Sequence, residues 1–299
     1  MKKSLAKYAW FSIFATIVII AIKVVAYFVT GSVSLFSEAF ESIINLIASS
    51  IALLMVRLAE KPPDEHHAYG HSKAEYFSSV IEGSLIFTLA VSVIYAGYNR
   101  LLHPRLITQP TEGIVLSILA TIINLVIFFV LSVTAKKHHS ITLEADAHYH
   151  LADIWTSVGA VAGVTATVVT KLNFLDPIIG FVLALHIAST GFNLVKRSSF
   201  GLMDSAIPGE QIDQVKQIIK GNLKKGMRYH GLGTRESGRR KFVSFHLLVP
   251  DNWSVKKGHD LSEKIEKEIR DSIEDVTVTT HLEPINDPVS NDDILIDRQ

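Results

Sequence analysis

The sequence predicts an α-helical membrane protein, a bundle of six transmembrane helices followed by a small α+β domain with the element order α-β-β-α-β. Apolar stretches long enough for a helix to cross a bilayer, about 20 residues each, fill the first two-thirds of the 299-residue chain. Charged residues are concentrated in the last third, although the formal net charge is zero. Both observations indicate a membrane-embedded part followed by a water-exposed part.

The predicted spans are separated by turn-forming or charged residues, such as the prolines at 62 and 63. Lysine and arginine are concentrated in the loops on one side, so we expect both termini to lie in the cytoplasm and the protein to reside in the cell membrane. We assign 1–204 to the transmembrane domain and 205–299 to a cytoplasmic domain. The six spans are 9–30, 33–57, 77–99, 112–135, 147–170 and 176–196.

The last third alternates between helical and strand patterns. Residues 208–223 read as an amphipathic helix with a proline near its start, and residues 256–272 read as a helix of alternating charge. Strands are predicted over the other three segments, with a turn at Ser237 and Gly238. These segments are 227–236, 240–250 and 276–283.

Composition excludes several functions. The chain has no cysteine, so histidine and the carboxylates are its strongest available metal ligands. A net charge of zero gives no general basic field, and we expect no nucleic-acid partner. The sequence shows neither a phosphate loop nor an activated nucleophile, so we do not expect an enzyme.

The second span carries Glu38, Glu41 and Asn45 on one helical stripe, within about 60° of one another. A carboxylate in hydrocarbon is costly unless it is paired, hydrated or bound to a cation. The stripe therefore indicates a path or a site for something positive. The alternative is a pair of protonated acids that hydrogen-bond to a neighbouring helix.

The fifth span opens with a second polar stripe, formed by Asp146, Tyr149, His150 and Asp153. Two helices that each offer two side chains four residues apart can form a four-ligand cage for a divalent ion. Oxygen ligands suit harder cations, whereas His150 would suit zinc or iron(II). Alternatively, His150 lies at the membrane interface and Asp146 is a charge near the start of the helix.

Two further groups of metal-binding side chains lie outside the spans. Asp64, His67 and His71 could gather around a metal in the loop after the second span, unless that loop is simply solvated. In the last third, four candidate ligands come from three elements, and scattered surface histidines are the alternative. These four are His246, His259, His281 and Glu283.

Taken together, these motifs resemble those of the cation diffusion facilitator family of divalent-metal transporters. The resemblance covers nearly the whole chain, and it depends on the order and spacing of the motifs. They are T-G-S-V-S (30–34), D-E-H-H-A-Y-G-H-S-K-A-E (64–75), A-D and the following Asp (145–153), L-M-D-S-A-I-P (202–208), and the histidines and H-L-E of the last third.

The resemblance implies a homodimeric exporter that exchanges a divalent cation for protons, with six spans in each protomer and a metallochaperone-like cytoplasmic domain. It carries the family's transport site onto Glu41, Asn45, Tyr149 and Asp153, with His150 and Glu38 as further candidates. The usual zinc exporters have Asp, Asp, His and Asp at the four positions. Three differences leave zinc, manganese and iron(II) open as substrate, and the same ions are expected as regulatory ligands.

The resemblance also carries over the loop site, the four ligands of the last third, and a charge pair. Lys73 and Asp204 match a pair that locks the two protomers together at the membrane surface. The altered transport site leaves a second function open, in which the chain is a transport-inactive protein that senses metal and partners an active paralogue.

Overall fold

The computed structural model describes residues 4–30, 33–102, 111–170, 172 and 174–291, apart from some side chains within the helices. The side chains of Glu38 and Glu41 are among those outside the described part. The chain divides into two compact units, Met1–Ser199 and Phe200–Gln299. The division falls a few residues before the predicted domain boundary.

In the described part of the first unit, the chain forms six long helices, as the apolar pattern predicts. Five of them are long and apolar enough to cross a membrane; α5, which carries Glu144, Asp146 and Asp153, is not among the five. The helices are α1 (Ala6–Thr30), α2 (Val33–Ala59), α3 (Ala74–Leu102), α4 (Thr111–His138), α5 (Ile141–Thr170) and α6 (Leu175–Leu202).

Helix α5 begins at Ile141, six residues earlier than the predicted start at 147. Ser140 precedes the first helical residue, and its Oγ accepts a hydrogen bond from the backbone N–H of Leu143 at 3.5 Å. The hydroxyl of Ser140 also donates to the buried carboxylate of Glu75 on α3. The charged residues that the apolar pattern places near the membrane surface therefore lie inside a capped helix.

Helix α5 is central to the bundle because it packs against α2, α3 and α4. One apolar cluster joins Leu143 on α5 to Ile127 on α4 and Ile19 on α1. Another joins Ala145 on α5 to Ile86 on α3. Polar side chains on α5 are therefore surrounded by other helices.

The second unit has the predicted order α-β-β-α-β, and the element bounds lie within a few residues of the prediction. Helix α7 follows Pro208, and α8 is capped by Ser254, whose Oγ accepts from the backbone N–H of Lys257 at 3.3 Å. The elements are α7 (Gly209–Asn222), β1 (Arg228–Ser237), β2 (Arg240–Val249), α8 (Val255–Ser272), β3 (Val276–Pro284) and a 3₁₀ helix (Pro288–Asn291).

The three strands of this unit form one sheet in the order β1-β2-β3, within the described residues. Strand β1 runs antiparallel to β2 through a tight turn at Gly238, which has a φ of 57°. Strand β3 runs parallel to β2, and α8 makes the connection that parallel strands require. The core of the unit is formed by Phe245 and Leu247 of the sheet together with Ile219 and Ile265 of the two helices.

Helices α3 and α6 approach closely at a pair of glycines. A Cβ added at Gly191 would lie 2.7 Å from the carbonyl oxygen of Gly83 and 2.8 Å from the backbone nitrogen of Phe87. We therefore expect Gly191→Ala to force the two helices apart and to destabilise the bundle by about 1–3 kcal/mol. The measurement is thermal unfolding of the purified protein in detergent.

The matched control is Gly180→Ala on the same helix, because a Cβ at Gly180 meets nothing within 4 Å. Equal stability of the two variants would contradict the close packing of α3 on α6.

Candidate metal centres

The second and fifth helices meet at a buried polar pair. Asn45 on α2 donates a hydrogen bond from Nδ2 to Oδ2 of Asp153 on α5, over 2.7 Å. Asn45 is 3% exposed and Asp153 is 6% exposed. The structure thus joins two of the predicted transport-site residues across the α2–α5 interface.

Of the other predicted ligands of this site, the structure describes the side chain of Tyr149 but not those of Glu38 and Glu41. Tyr149 lies one turn before Asp153 on α5 and is buried at 3% exposure. The side chains of Glu38 and Glu41 lie outside the described residues, so their roles as ligands stay predictions. The arrangement offers a cation the carboxylate oxygens of Asp153 and, after rotation of its amide, the carbonyl oxygen of Asn45.

The His150 side chain lies between α1 and α4. Its Nδ1 is 2.9 Å from Oδ1 of Asn124 on α4, and its Nε2 is 3.1 Å from Oγ of Ser12 on α1. Since an amide oxygen only accepts, Nδ1 is the donor to Asn124. Both ring nitrogens are therefore engaged away from Asp153, and a role for His150 as a transport ligand stays a prediction.

The loop between α2 and α3 brings together the three side chains that the sequence singles out. His67 Nδ1 lies 3.2 Å from one carboxylate oxygen of Asp64, and His71 Nε2 lies 3.3 Å from the other. One ligand atom from each residue lies within 4.8 Å of the others. Gly70, with a φ of 84°, turns the chain between the two histidines.

The Asp64 carboxylate is also held by backbone donors. The N–H of His67 and the N–H of His66 donate to its Oδ1 at 2.7 and 3.0 Å. Desolvation raises the pKa of the Asp64 carboxyl, but the donors from His67 and His66 outweigh it, so that pKa lies below its ordinary value. The carboxylate is therefore ionised at neutral pH, as a metal ligand must be.

A third group lies on the sheet of the second unit, where Glu283 on β3 contacts a histidine on each of the other strands. Its Oε2 is 2.9 Å from Nε2 of His230 on β1, and its Oε1 is 2.8 Å from Nδ1 of His246 on β2. The ligand atoms of these three residues lie within 4.8 Å of one another. Two imidazoles and a carboxylate form a donor set that suits zinc, iron(II) or manganese.

His230 is the ligand candidate that the sequence analysis missed. It pairs directly with His246 across the hairpin, and the ladder is irregular between His230 and Gly233. This bulge contains Gly231, with a φ of 61°, where a Cβ would lie 3.4 Å from the ring of His246. Counting back from the turn, where Ser237 pairs with Arg240, places Gly231 opposite His246, and only the bulge brings His230 into that position.

The other two predicted ligands of this group are less closely held. His281 is in register with His246, and its Nε2 lies 3.7 Å from Glu283, but its side chain is 67% exposed. His259 is exposed on α8, and among the described contacts none joins it to Glu283. Both stay predictions as ligands.

The predicted charge pair of Lys73 and Asp204 involves both units. Lys73 lies just before α3, and Asp204 accepts a hydrogen bond from Nη1 of Arg235 on β1 at 3.0 Å. Asp204 has a φ of 59° and lies two residues after the end of α6. A lock between protomers through Lys73 stays a prediction.

The chain combines a long helical membrane part that contains a buried carboxylate with a small domain that carries a carboxylate–imidazole group. This combination indicates a membrane protein that binds cations. The family model described as the cation efflux transmembrane domain matches residues 9–203, and the model described as the cation efflux protein cytoplasmic domain matches residues 207–285. The chain therefore belongs to the cation efflux family, the cation diffusion facilitators. It is an integral membrane transporter of divalent cations and not an enzyme.

Two curated relatives match nearly the whole chain, and a solved structure matches about a quarter of it. The uncharacterized transporter sll1263 of Synechocystis sp. is 42% identical over 283 residues, which cover 95% of this chain and 91% of that protein. The cation-efflux pump FieF of Shewanella oneidensis is 26% identical over 276 residues and 92% of each chain. A solved structure of CzrB in its zinc form is 27% identical and covers 27% of this chain and 92% of its own, with a TM-score of 0.26.

The sheet group leads to a prediction about metal binding. Replacing His230 with alanine removes one of the three donors, so we expect the affinity for zinc to fall by at least about tenfold. The zinc affinity is measured by chelator-competition titration of the full chain. Both proteins also carry His71→Ala, so that zinc binding at the loop group does not contribute to the measured affinity.

Arg228→Ala is the matched control, since Arg228 is an exposed residue on the same strand. A titration in which the two variants bind equally would show that His230 is no ligand.

Proposed function

We propose that the chain exports zinc, manganese or iron(II) from the cytoplasm in exchange for protons, by alternating access and as a homodimer with both termini in the cytoplasm. The observation that carries this proposal is the contact of 2.7 Å between Asn45 and Asp153, buried between two helices of the bundle. A carboxylate at that depth needs a positive or proton-donating partner. A transported ion and a proton can supply that partner in turn.

The chemistry of the pair supports exchange. In the present contact the Asn45 amide donates to Asp153, whereas a bound cation would need the amide oxygen instead. Arrival of the ion therefore displaces this hydrogen bond and any proton on Asp153. Protons arriving from the opposite side lower the affinity for the ion, because carboxylate ligands bind metals only when deprotonated. We include Glu41 and Tyr149 as the remaining members of this site.

The donor types favour a hard divalent ion. Asn45, Tyr149 and Asp153 offer only oxygen atoms, and oxygen-rich sites suit manganese more than zinc. The described contacts of His150 direct its nitrogen atoms towards α1 and α4. Manganese or iron(II) is therefore the substrate that this site fits best.

The two groups outside the bundle fit a regulatory role in the same function. We assign residues 1–204 to transport and residues 205–299 to metal-dependent dimer regulation. An ion at Glu283 would replace the carboxylate–imidazole contacts with His230 and His246 and hold three strands together. We include His259 and His281 as further ligands there, the loop group of Asp64 as a second regulatory site, and Lys73 with Asp204 as the lock between protomers.

The transport site is tested in reconstituted vesicles. Asp153→Ala removes the only carboxylate in the described part of this site, so we expect metal-driven proton flux to fall by about a hundredfold or more. The flux is followed with a pH-sensitive dye inside the vesicles on addition of manganese.

The control for this experiment is Ser50→Ala on α2. The Ser50 hydroxyl donates to the Leu46 carbonyl of its own helix, so its loss removes no contact between helices. A proton flux in Asp153→Ala vesicles equal to that of the wild type would contradict the assignment of the transport site.

One observation favours a second function. Asn45 and Tyr149 are neutral groups at positions where usual zinc exporters have an acid and a histidine, which fits a chain that senses metal and partners an active paralogue. Wild-type vesicles decide between the two functions: metal-dependent proton flux from the purified chain alone supports the exporter, and its absence with intact metal binding supports the partner.

A further inference from the structure

Two buried carboxylates inside the bundle are not used by the sites described above. Asp146 on α5 is 2% exposed, and Glu82 on α3 is fully buried. Each has one oxygen with a hydroxyl donor: Ser49 donates to Asp146 Oδ1 at 2.8 Å, and Ser78 donates to Glu82 Oε1 at 2.7 Å. The other oxygen of each carboxylate, Asp146 Oδ2 and Glu82 Oε2, is buried with no hydrogen-bond partner in the structure.

The two acids lie on helices that pack against each other, Glu82 on α3 and Asp146 on α5. Ile86, one turn after Glu82, belongs to the same apolar cluster as Ala145, which precedes Asp146. The two carboxylates also interact electrostatically. Two like charges in a medium of low dielectric are strongly unfavourable, and an unpartnered carboxylate oxygen there adds a further cost.

The described contacts of the pair come from one histidine and two hydroxyls. The Nε2 of His150 lies 3.7 Å from Oδ1 of Asp146 and 3.1 Å from the Ser12 hydroxyl. The hydroxyls of Ser49 and Ser78 donate to Asp146 and Glu82. The ligand atoms left free at the pair are oxygens.

The pair lies between the loop group and the transport pair. Asp146 precedes Asp153 by seven residues, which is about 10 Å along a helix. Asp146 is about 8 Å from the start of α5, and Glu82 is about 12 Å from the start of α3. The loop that holds Asp64 and His71 connects directly to α3. A cation that moves from this loop to Asp153 therefore passes the level of Asp146 and Glu82.

We propose that Asp146 and Glu82 form a second cation-binding position inside the bundle, where a divalent ion is held on its way from the loop side to Asp153. A divalent ion neutralises both carboxylates and coordinates the two free oxygens. The ligand atoms that the two acids offer are oxygens, which suit a hard ion such as manganese. This inference rests on the proposed export function for its direction, but binding at the pair can be measured without transport.

The experiment measures manganese binding to the full chain in lipid nanodiscs. The background variant carries Asp64→Ala, His246→Ala and Asp153→Asn, which together disable the three sites described earlier. Equilibrium dialysis, with electron paramagnetic resonance of the unbound manganese, gives the number of ions bound. We expect the background to retain about one manganese per chain, and Asp146→Asn or Glu82→Gln to abolish that binding.

The matched control is Glu144→Gln. Glu144 lies on the same helix two residues from Asp146, but its carboxylate is bound to Arg197 at 2.8 Å. We expect this variant to retain the residual ion. Asn and Gln keep the size of the acids they replace, and a monodisperse elution profile confirms that each variant is folded.

The proposal is overturned if the folded background binds no manganese, or if Asp146→Asn leaves the residual binding unchanged. Loss of proton flux in wild-type vesicles would instead overturn the proposed export function. Because binding and flux are read separately, residual binding without flux would retain the second cation position and reject export.

Discussion

The first unit depends on one constraint: a carboxylate placed among apolar helices must always have a partner. In the described state, the amide of Asn45 provides that partner for Asp153. An amide is a neutral donor, so it lowers the cost of the buried charge without cancelling it. If the proposed transport site is correct, this neutral contact stabilises Asp153 without an ion and still leaves negative charge for a cation to neutralise.

The loop group and the sheet group share one arrangement of ligands. In each, a single carboxylate uses one oxygen for one imidazole and the other oxygen for a second: Asp64 with His67 and His71, and Glu283 with His246 and His230. The carboxylate thereby orients both rings before any ion arrives. The loop group is built from one exposed segment, whereas the sheet group needs three strands in register, so only the latter couples ligand geometry to the fold of a domain.

Much of this architecture follows from local patterns in the sequence. Apolar length and the alternation in the last third predicted the six helices and the order of the second unit, because both depend on neighbouring residues. The contact between α2 and α5 could also be predicted from the sequence, because Asn45 and Asp153 are costly in hydrocarbon and need polar partners. The start of α5 was missed because its charges suggested a surface. The helix is capped by Ser140 and begins at Ile141, six residues before the predicted start.

Features that depend on tertiary geometry could not be read in the same way. His230 joins Glu283 through strand pairing and a bulge at Gly231, and no local pattern marks it as a ligand. The direction of His150 depends on Ser12 and Asn124, which lie far away in sequence on α1 and α4. A helical wheel places His150 beside Tyr149 but does not show which neighbouring helix it faces.

The contacts of Ser12 and His150 have a mechanical consequence. Ser12 bonds both Ser49 on α2 and His150 on α5, and His150 also bonds Asn124 on α4. These hydrogen bonds link four helices, α1, α2, α4 and α5, to one another. Helices α3 and α6 approach each other at Gly83 and Gly191, and the side chains of Ile86 and Leu194 pack in the same cluster. Any movement that separates α1 from α5 must break the contact of Ser12 with His150, so these buried hydrogen bonds resist separation of the four helices.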